Sequence, residues 1–333
     1  MAKILFIGDP HLKVTKLETC KTFLSWVIKV IAKHKPDMVV NLGDTFDTHA
    51  VVRSEIMGEF RKHVEQVVAL TPYTYILGNH DMFKPKDATY HALQTFKGIN
   101  GFTVVDEIIH DKKNNITWVP YQVSSELFPT KTLPICVGHQ TFIGADFGFY
   151  RPDDGVDPAS ISADVIISGH IHKRQSFDKV IYPGSPFAQG IDDINQAKGL
   201  MLFDTETYEY EFLESPLPKW KGMRLSLDEM STDEITKSIT AEVNSVDQFV
   251  IEVTGPKAEI IGYLSSKEFL TLKEGKSIRV KPEYTDKLKR ENTKIKSITL
   301  SDIVDEYVDR VYAGSLDRSI IKTTAHEILN RIK

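Results

Sequence analysis

Residues 3–11, Lys3-Ile4-Leu5-Phe6-Ile7-Gly8-Asp9-Pro10-His11, set a pattern that recurs through the first half of the chain. The apolar run is too short for a signal-peptide core and passes straight into Asp9 and His11, with no small-residue cleavage site. It reads as a buried β-strand that delivers an aspartate and a histidine at its carboxyl end. The strand expected at Met38–Leu42 is followed by Gly43-Asp44, and the one at Tyr73–Leu77 by Gly78-Asn79-His80-Asp81. Leu133–Val137 runs into Gly138-His139, and Val165–Ser168 into Gly169-His170-Ile171-His172. Ligands of α/β proteins collect beyond the carboxyl ends of strands, so these five loops are expected to converge on one cleft.

Taken singly, each loop has an ordinary explanation. A strand-terminal Asp caps a helix, Asn-His-Asp makes a capped turn, and His-X-His places two rings on one face of a strand. Five such ends, all carrying oxygen or imidazole donors, have no structural need to coincide. The candidate ligands are Asp9, His11, Asp44, Asn79, His139, His170 and His172. Carboxylate, amide oxygen and imidazole without thiolate suit Mn²⁺, Fe²⁺ or Mg²⁺ better than a structural zinc. Seven donors are too many for one ion and fit two that share a bridging carboxylate. Ions roughly 3.5–4 Å apart can clamp a phosphoryl group between them.

Working outward, short β-branched runs alternate with helical patterns, which implies α/β layering. Leu17, Cys20, Leu24, Val27, Ile28 and Ile31 recur at helical spacing behind a capping box from Thr15 to Glu18. Further helices are expected over about Arg53 to Val68 and over Ala88–Phe96. Later segments read mostly as strands: Thr103–Val105, Ile116–Val119, Lys179–Tyr182, Gly199–Phe203 and Tyr208–Phe212. Two sheets packed face to face, with helices outside, accommodate this order; a doubly wound nucleotide fold would need helices between the later strands.

Ser215-Pro216-Leu217-Pro218 is the best linker candidate. Beyond it a strand at Phe249–Val253, a helix at Ala258–Ser265 and a strand at Ser277–Val280 make a small α/β lobe. Lys273–Lys296 holds nine basic and four acidic residues and is the one visibly basic stretch. A helical part follows from about Leu300. Ile303, Val304, Tyr307, Val308 and Val311 form one stripe, Gly314 interrupts, and Ile320, Ile321, Ile328 and Leu329 form a second. The domains expected are therefore 1–215, 219–297 and 298–333.

Bulk properties narrow the function classes. A net charge of −5 argues against indiscriminate binding to nucleic acid, although clustered carboxylates are also what a divalent-cation site needs. Ten of the eleven histidines lie at or before His172, so the chemistry belongs to the first two-thirds. Cys20 and Cys136 sit in apolar contexts and read as free, buried thiols of a cytoplasmic protein. No run approaches the length of a membrane span.

The order Asp-X-His, Gly-Asp, Gly-Asn-His-Asp, Gly-His, Gly-His-X-His resembles that of the calcineurin-like metallophosphoesterases. Within them, Gly43-Asp44-Thr45-Phe46-Asp47, Gly169-His170-Ile171-His172-Lys173 and Tyr182-Pro183-Gly184-Ser185-Pro186 look like the SbcD family, the nuclease subunit of a double-strand-break repair complex. The match spans about residues 1–215, and the short chain looks like the phage version of that subunit. The resemblance implies a four-layer αββα sandwich with a smaller α/β capping domain and a C-terminal helical segment. Asp9, His11, Asp44 and His172 would hold one Mn²⁺; Asp44, Asn79, His139 and His170 would hold the other. His80 would stabilise the transition state and protonate the leaving oxygen, with Asp81 fixing its ring.

The implied activity is exonuclease on duplex ends and endonuclease on single-stranded DNA, in recombination and double-strand-break repair. The implied partners are DNA and an SbcC-type coiled-coil ATPase held by the C-terminal helices, in a heterotetramer built on a homodimer. Some relatives carry a histidine where Asp47 stands and use it in exonuclease action; His49 lies two residues on, whether it substitutes stays open, and a solvent-facing loop residue is the preferred reading. Two rival readings stay open: a phosphatase or small-molecule phosphodiesterase on the same fold, and a scaffold without catalysis. Against the first, no Asp-Arg-Gly run follows Asp44. Against the second, all seven ligands are present.

Overall fold

The computed structural model describes residues 3–49, 51–84, 87–148, 151–152, 154–286, 304–305, 308–309 and 317–331. In chain order the first part comprises β1 (Lys3–Ile7), α1 (Leu17–His34), β2 (Met38–Asn41), α2 (Ser54–Val68) and β3 (Tyr73–Ile76). A hairpin of β4 (Met82–Lys84) and β5 (Asp87–His91) follows, then β6 (Phe102–Val105), β7 (Ile109–Asp111), β8 (Ile116–Val119) and β9 (Ile135–His139). The remaining strands here are β10 (Val165–Gly169), β11 (Gln175–Phe177), β12 (Val180–Tyr182), β13 (Gly199–Asp204) and β14 (Tyr210–Glu214).

These strands form two six-stranded sheets, ordered β14-β13-β1-β2-β3-β6 and β11-β12-β10-β9-β8-β7. β1, β2, β3 and β6 are mutually parallel, as are β12, β10, β9 and β8; β13 pairs antiparallel with both β1 and β14, and the edge strands β7 and β11 pair antiparallel with β8 and β12. Side chains alternate across a strand, so β1 serves two cores at once. Leu5 and Ile7 face α1 and α2, among Phe23, Val27, Phe60 and Val64. Ile4 and Phe6 face the second sheet, among Trp118, Val137 and Ile167. Removing this much apolar surface from water is the main source of the sandwich's stability.

The α/β sandwich expected from the sequence is what the chain forms. Its fourth layer has a different make-up from the helices expected. The outer face of the second sheet, with Cys136, Ile166, Val180 and Tyr182, is covered by Phe128, Phe142, Ala145, Val156 and Ile161. Among the described residues these lie in loops, Phe128 and Ile161 directly after the 3₁₀ turns Ser125–Leu127 and Pro158–Ser160. Among the described residues the connections between β8, β9 and β10 hold no α-helix, yet they supply aromatic rings that close the face.

Two local expectations fail. Ala88–Phe96 is not an α-helix: β5 pairs with β4, and Ala92–Phe96 is a 3₁₀ turn tied back by Ala92 N to the Asp81 carbonyl at 3.0 Å. Leu93 and Phe96, three apart, are both buried, as the three-residue repeat of such a turn requires. The capping box at Thr15 is absent, because a 3₁₀ turn at Val14–Lys16 leads into α1 and Glu18 pairs with Lys21 instead.

Beyond Ser215, which is buried, Leu217 enters the first core, so the Pro-rich linker is packed down. A three-stranded parallel sheet then forms from β15 (Trp220–Ser226), β16 (Gln248–Gly255) and β17 (Ser277–Tyr284). α3 (Thr232–Glu242), α4 (Lys257–Leu264) and α5 (Lys267–Lys273) pack on it around Ile235, Ile239, Ile251 and Phe269. α3 begins at a true capping box, Ser231 with Glu234.

The chain divides into two compact units, Met1–Tyr284 and Thr285–Lys333. The second unit contains α6 (Arg318–Arg331), on which Ile320 is exposed. The expected stripe residues Ile303, Tyr307 and Val311, Gly314, the side chain of Ile328, and the part of the basic stretch at 287–296 lie outside the described residues. No helix among the described residues is long and apolar enough to cross a membrane.

Candidate metal centre

The carboxyl ends of β1, β2, β3, β9 and β10 lie side by side across the two sheets, and the five loops meet there. Close approach depends on glycine. A Cβ on Gly78 would stand 2.2 Å from Asp44 Oδ1 and 2.5 Å from Asp44 N. Gly43 takes φ +107°, and a Cβ there would stand 2.6 Å from His139 Nδ1. Three non-glycine residues of the centre are also held at positive φ: His11 at 43°, Asp44 at 51° and His170 at 87°. Such backbone costs of order 1–3 kcal/mol per residue and persists where the surroundings impose it.

All seven residues singled out from the sequence are brought together. His139 Nε2 lies 3.3 Å from Asp44 Oδ2, 3.1 Å from Asn79 Oδ1 and 3.2 Å from His170 Nδ1. His170 Nδ1 is also 2.9 Å from Asn79 Oδ1. On the other flank, His11 Nε2 is 2.9 Å from His172 Nε2 and 3.9 Å from Asp44 Oδ2. Asp44 thus faces both groups. Asp9 is fully buried; its Oδ1 accepts from His170 N at 2.6 Å, and its Oδ2 has no hydrogen-bond partner.

A fully buried carboxylate oxygen without a partner is expensive unless something else satisfies it. The other oxygen of the same carboxylate, Oδ1, lies 3.6 Å from His139 Nδ1, at the edge of the imidazole and carboxylate cluster. Asp44, His139 and His170 alone offer three ligand atoms within 4.8 Å of one another. The donor set fits divalent cations.

Protonation follows the same logic. Burial, reinforced by the His139 charge, lowers the His170 pKa to about 3, and burial holds His11 well below the ordinary histidine value. Both rings therefore keep a lone pair for a cation. Burial also disfavours the His139 cation, but Asp44 and Asp9 beside it outweigh that and raise it to about 9. Burial opposes ionisation of Asp44 too; His139 and His11 outweigh it and hold the carboxyl well below its usual range. The Nδ1–H of His139 donates to the Leu42 carbonyl at 2.6 Å, which turns Nε2 toward the centre.

His80 stands beside this cluster, its backbone N donating to Asp44 Oδ1 at 2.8 Å. Its ring meets His11 edge-on at 4.7 Å. The expectation that Asp81 fixes this ring is not met. His80 Nδ1 donates instead to the Asp47 carbonyl at 3.2 Å. Asp81 is buried and spends its oxygens on Asp44 N (3.0 Å), Gly78 N (3.0 Å) and the Tyr75 hydroxyl (2.9 Å). It ties the loops after β2 and β3 together, because its side chain points down into the sheet rather than up toward the ring.

His49 also differs from expectation. Rather than facing solvent, it stacks on His80 at 4.4 Å with 20° between the planes, and its Nδ1 donates to the Asn79 carbonyl at 2.9 Å. Tyr121 was not foreseen; its ring lies 5.7 Å from that of His170. Its position two residues beyond the end of β8 was the available signal.

A family model described as calcineurin-like phosphoesterase matches residues 2–174. Three viral proteins are similar to the chain. Putative phosphoesterase 078R of Invertebrate iridescent virus 3 is 24% identical over 338 residues, covering 94% of each chain. Putative phosphoesterase 244L of Invertebrate iridescent virus 6 is 27% identical over 250 residues, 69% of this chain and 88% of that one. Exonuclease subunit 1 of Enterobacteria phage T4 is 26% identical over 237 residues, 63% of this chain and 67% of that one.

Proposed function

Because the chain belongs to the calcineurin-like phosphoesterase family and is thereby a metal-dependent phosphoesterase, we propose that its substrate is DNA and that it serves as a nuclease subunit in recombination and repair. The similarity to a phage exonuclease subunit is the observation that carries the choice of DNA over other phosphate esters. In this reading Asp9, His11, Asp44 and His172 hold one Mn²⁺, and Asp44, Asn79, His139 and His170 hold a second. Mg²⁺ or Fe²⁺ are the alternative metals. Bound together, two such ions polarise a phosphoryl group and acidify water at neutral pH.

The chain's own residues do the rest. His80, with Nδ1 committed to the Asp47 carbonyl, presents Nε2 for the leaving oxygen, and an imidazole suits proton transfer near neutral pH. Asp81 keeps the Asp44 and Asn79 loops in register. An SbcC-type coiled-coil ATPase is the partner, engaged by residues 298–333, in a heterotetramer built on a homodimer. Residues 219–297 act as a capping domain.

His80→Asn should keep two Mn²⁺ per chain while cleavage of linear duplex and single-stranded DNA is lost; full activity would remove His80 from the mechanism. Hydrolysis of bis-p-nitrophenyl phosphate with no cleavage of either DNA would move the protein to the small-molecule phosphodiesterases. Co-purification of the ATPase with the full chain, and its loss without residues 298–333, tests the partner.

A further inference from the structure

One buried cation takes no part in the scheme above. Lys198, on the approach to β13, is 5% exposed. Its Nζ lies 2.5 Å from Asp193 Oδ1, 2.8 Å from the His172 carbonyl oxygen, 2.8 Å from Ser185 Oγ and 3.0 Å from Gln196 Oε1. Three ammonium protons thus face four acceptors. A buried ion pair is rarely a net source of stability, since an apolar pair of like volume often does as well. What this pair does hold is geometry.

The His172 carbonyl also accepts from Ser185 N at 3.0 Å. Ser185 belongs to Tyr182-Pro183-Gly184-Ser185-Pro186, whose glycine packs so closely that a Cβ would stand 2.7 Å from that same carbonyl. A Cβ on Gly8 would in turn stand 2.1 Å from the Gly184 oxygen. The second oxygen of Asp193 accepts from Gln189 N at 2.6 Å, and Gln189 Nε2 donates to the Pro10 carbonyl at 2.7 Å. A chain of bonds therefore runs from Pro10 through Gln189, Asp193 and Lys198 to His172. It joins the loop that presents Asp9 and His11 to the one that presents His172. Asn79 and His139 are outside it, and His170 meets it through its backbone N–H on Asp9 Oδ1, its ring turned to Asn79 and His139.

We infer that Lys198 and Asp193 are positioning residues for one half of the metal centre, setting divalent-cation affinity at Asp9, His11 and His172 without setting it at Asn79, His139 and His170. This rests on the two-ion reading of the preceding subsection. Lys198 touches neither substrate nor cation; it acts through the His172 backbone.

The test is a Mn²⁺ titration of the full chain, reading free Mn²⁺ by its electron paramagnetic resonance signal. The variants are Lys198→Met and the double variant Lys198→Met/Asp193→Leu. The double variant leaves no unpaired buried carboxylate to unfold the protein, yet still lacks the donor to His172. Wild type binds two ions per chain. Both variants should keep one ion at wild-type affinity and bind the other about 10- to 100-fold more weakly, the range for losing a group that orients a ligand. Two ions at wild-type affinity in the double variant overturn the inference. So does equal weakening of both ions, which is what general loosening gives. Fewer than two ions in wild type would instead remove the two-ion reading, and the inference with it.

Discussion

Replacing Asp81 by alanine and by asparagine separates its loop-tying role from the ring-orienting role that its neighbour His80 suggests. In the structure, three buried donors converge on Asp81: Asp44 N, Gly78 N and the Tyr75 hydroxyl, all to Oδ2 within 3.0 Å. Asp81→Ala leaves all three without an acceptor. At about 1–3 kcal/mol for each unsatisfied buried group, the loss is at least about 3 kcal/mol. That is a large part of the roughly 5–15 kcal/mol that holds a typical domain.

Asp81→Asn keeps one oxygen where Oδ2 was, so every donor retains its acceptor. The lost charge costs little, because burial and the adjacent Asp44 already push the Asp81 carboxyl up to about 7. The asparagine variant should stay within about 1 kcal/mol of wild type. Its kcat on bis-p-nitrophenyl phosphate should stay within about tenfold, because nothing that Asp81 touches belongs to the His80 ring. Urea unfolding in saturating Mn²⁺ and steady-state hydrolysis at fixed pH read the two quantities. A fall in kcat of about 10⁴, the scale seen when a carboxylate that orients a catalytic histidine becomes an amide, would refute the reasoning.

Three further outcomes are expected. Gly78→Ala drives a methyl group to within 2.2 Å of Asp44 Oδ1; it should cost about 1–3 kcal/mol in urea unfolding and weaken both of the proposed Mn²⁺ sites, which on that reading share Asp44. Binding of both ions at wild-type affinity would show that Asp44 can move aside. His49→Ala removes the ring stacked on His80, worth about 0.5–1.5 kcal/mol, so kcat should fall by about tenfold or less while two Mn²⁺ remain bound; an unchanged kcat would mean that the stack is idle. His63 is fully buried in α2, and burial alone lowers its pKa to about 3. The unfolded chain takes up a proton near pH 6.5 that the folded chain refuses, so stability is lost as pH falls from about 6.5 to 3, by about 2 kcal/mol at pH 5. His63→Leu should flatten the acid limb of a stability–pH curve by that amount, and an unchanged limb would exclude His63 as its source.

What the sequence determined by itself was local. Short continuous apolar runs marked β1 and its neighbours as buried strands, glycine at four strand ends marked tight approaches, and the donor types marked a divalent-cation centre. These features are written within a few residues of one another, which is why Asp9, His11, Asp44, Asn79, His139, His170 and His172 could be singled out as candidates that the fold then gathers in one place. The tertiary structure decided what depends on partners far along the chain. Asp81 follows His80 directly, yet serves Asp44, 37 residues away. His49 reaches back to Asn79, 30 residues on, and so lies against His80 instead of in solvent. Lys198 carries no motif, and only the packing of β13 beneath the His172 loop puts its ammonium against that carbonyl. Sequence spacing fixes which groups a strand end can offer; which way a side chain turns is settled by hydrogen-bond partners that only the folded sheets bring into reach.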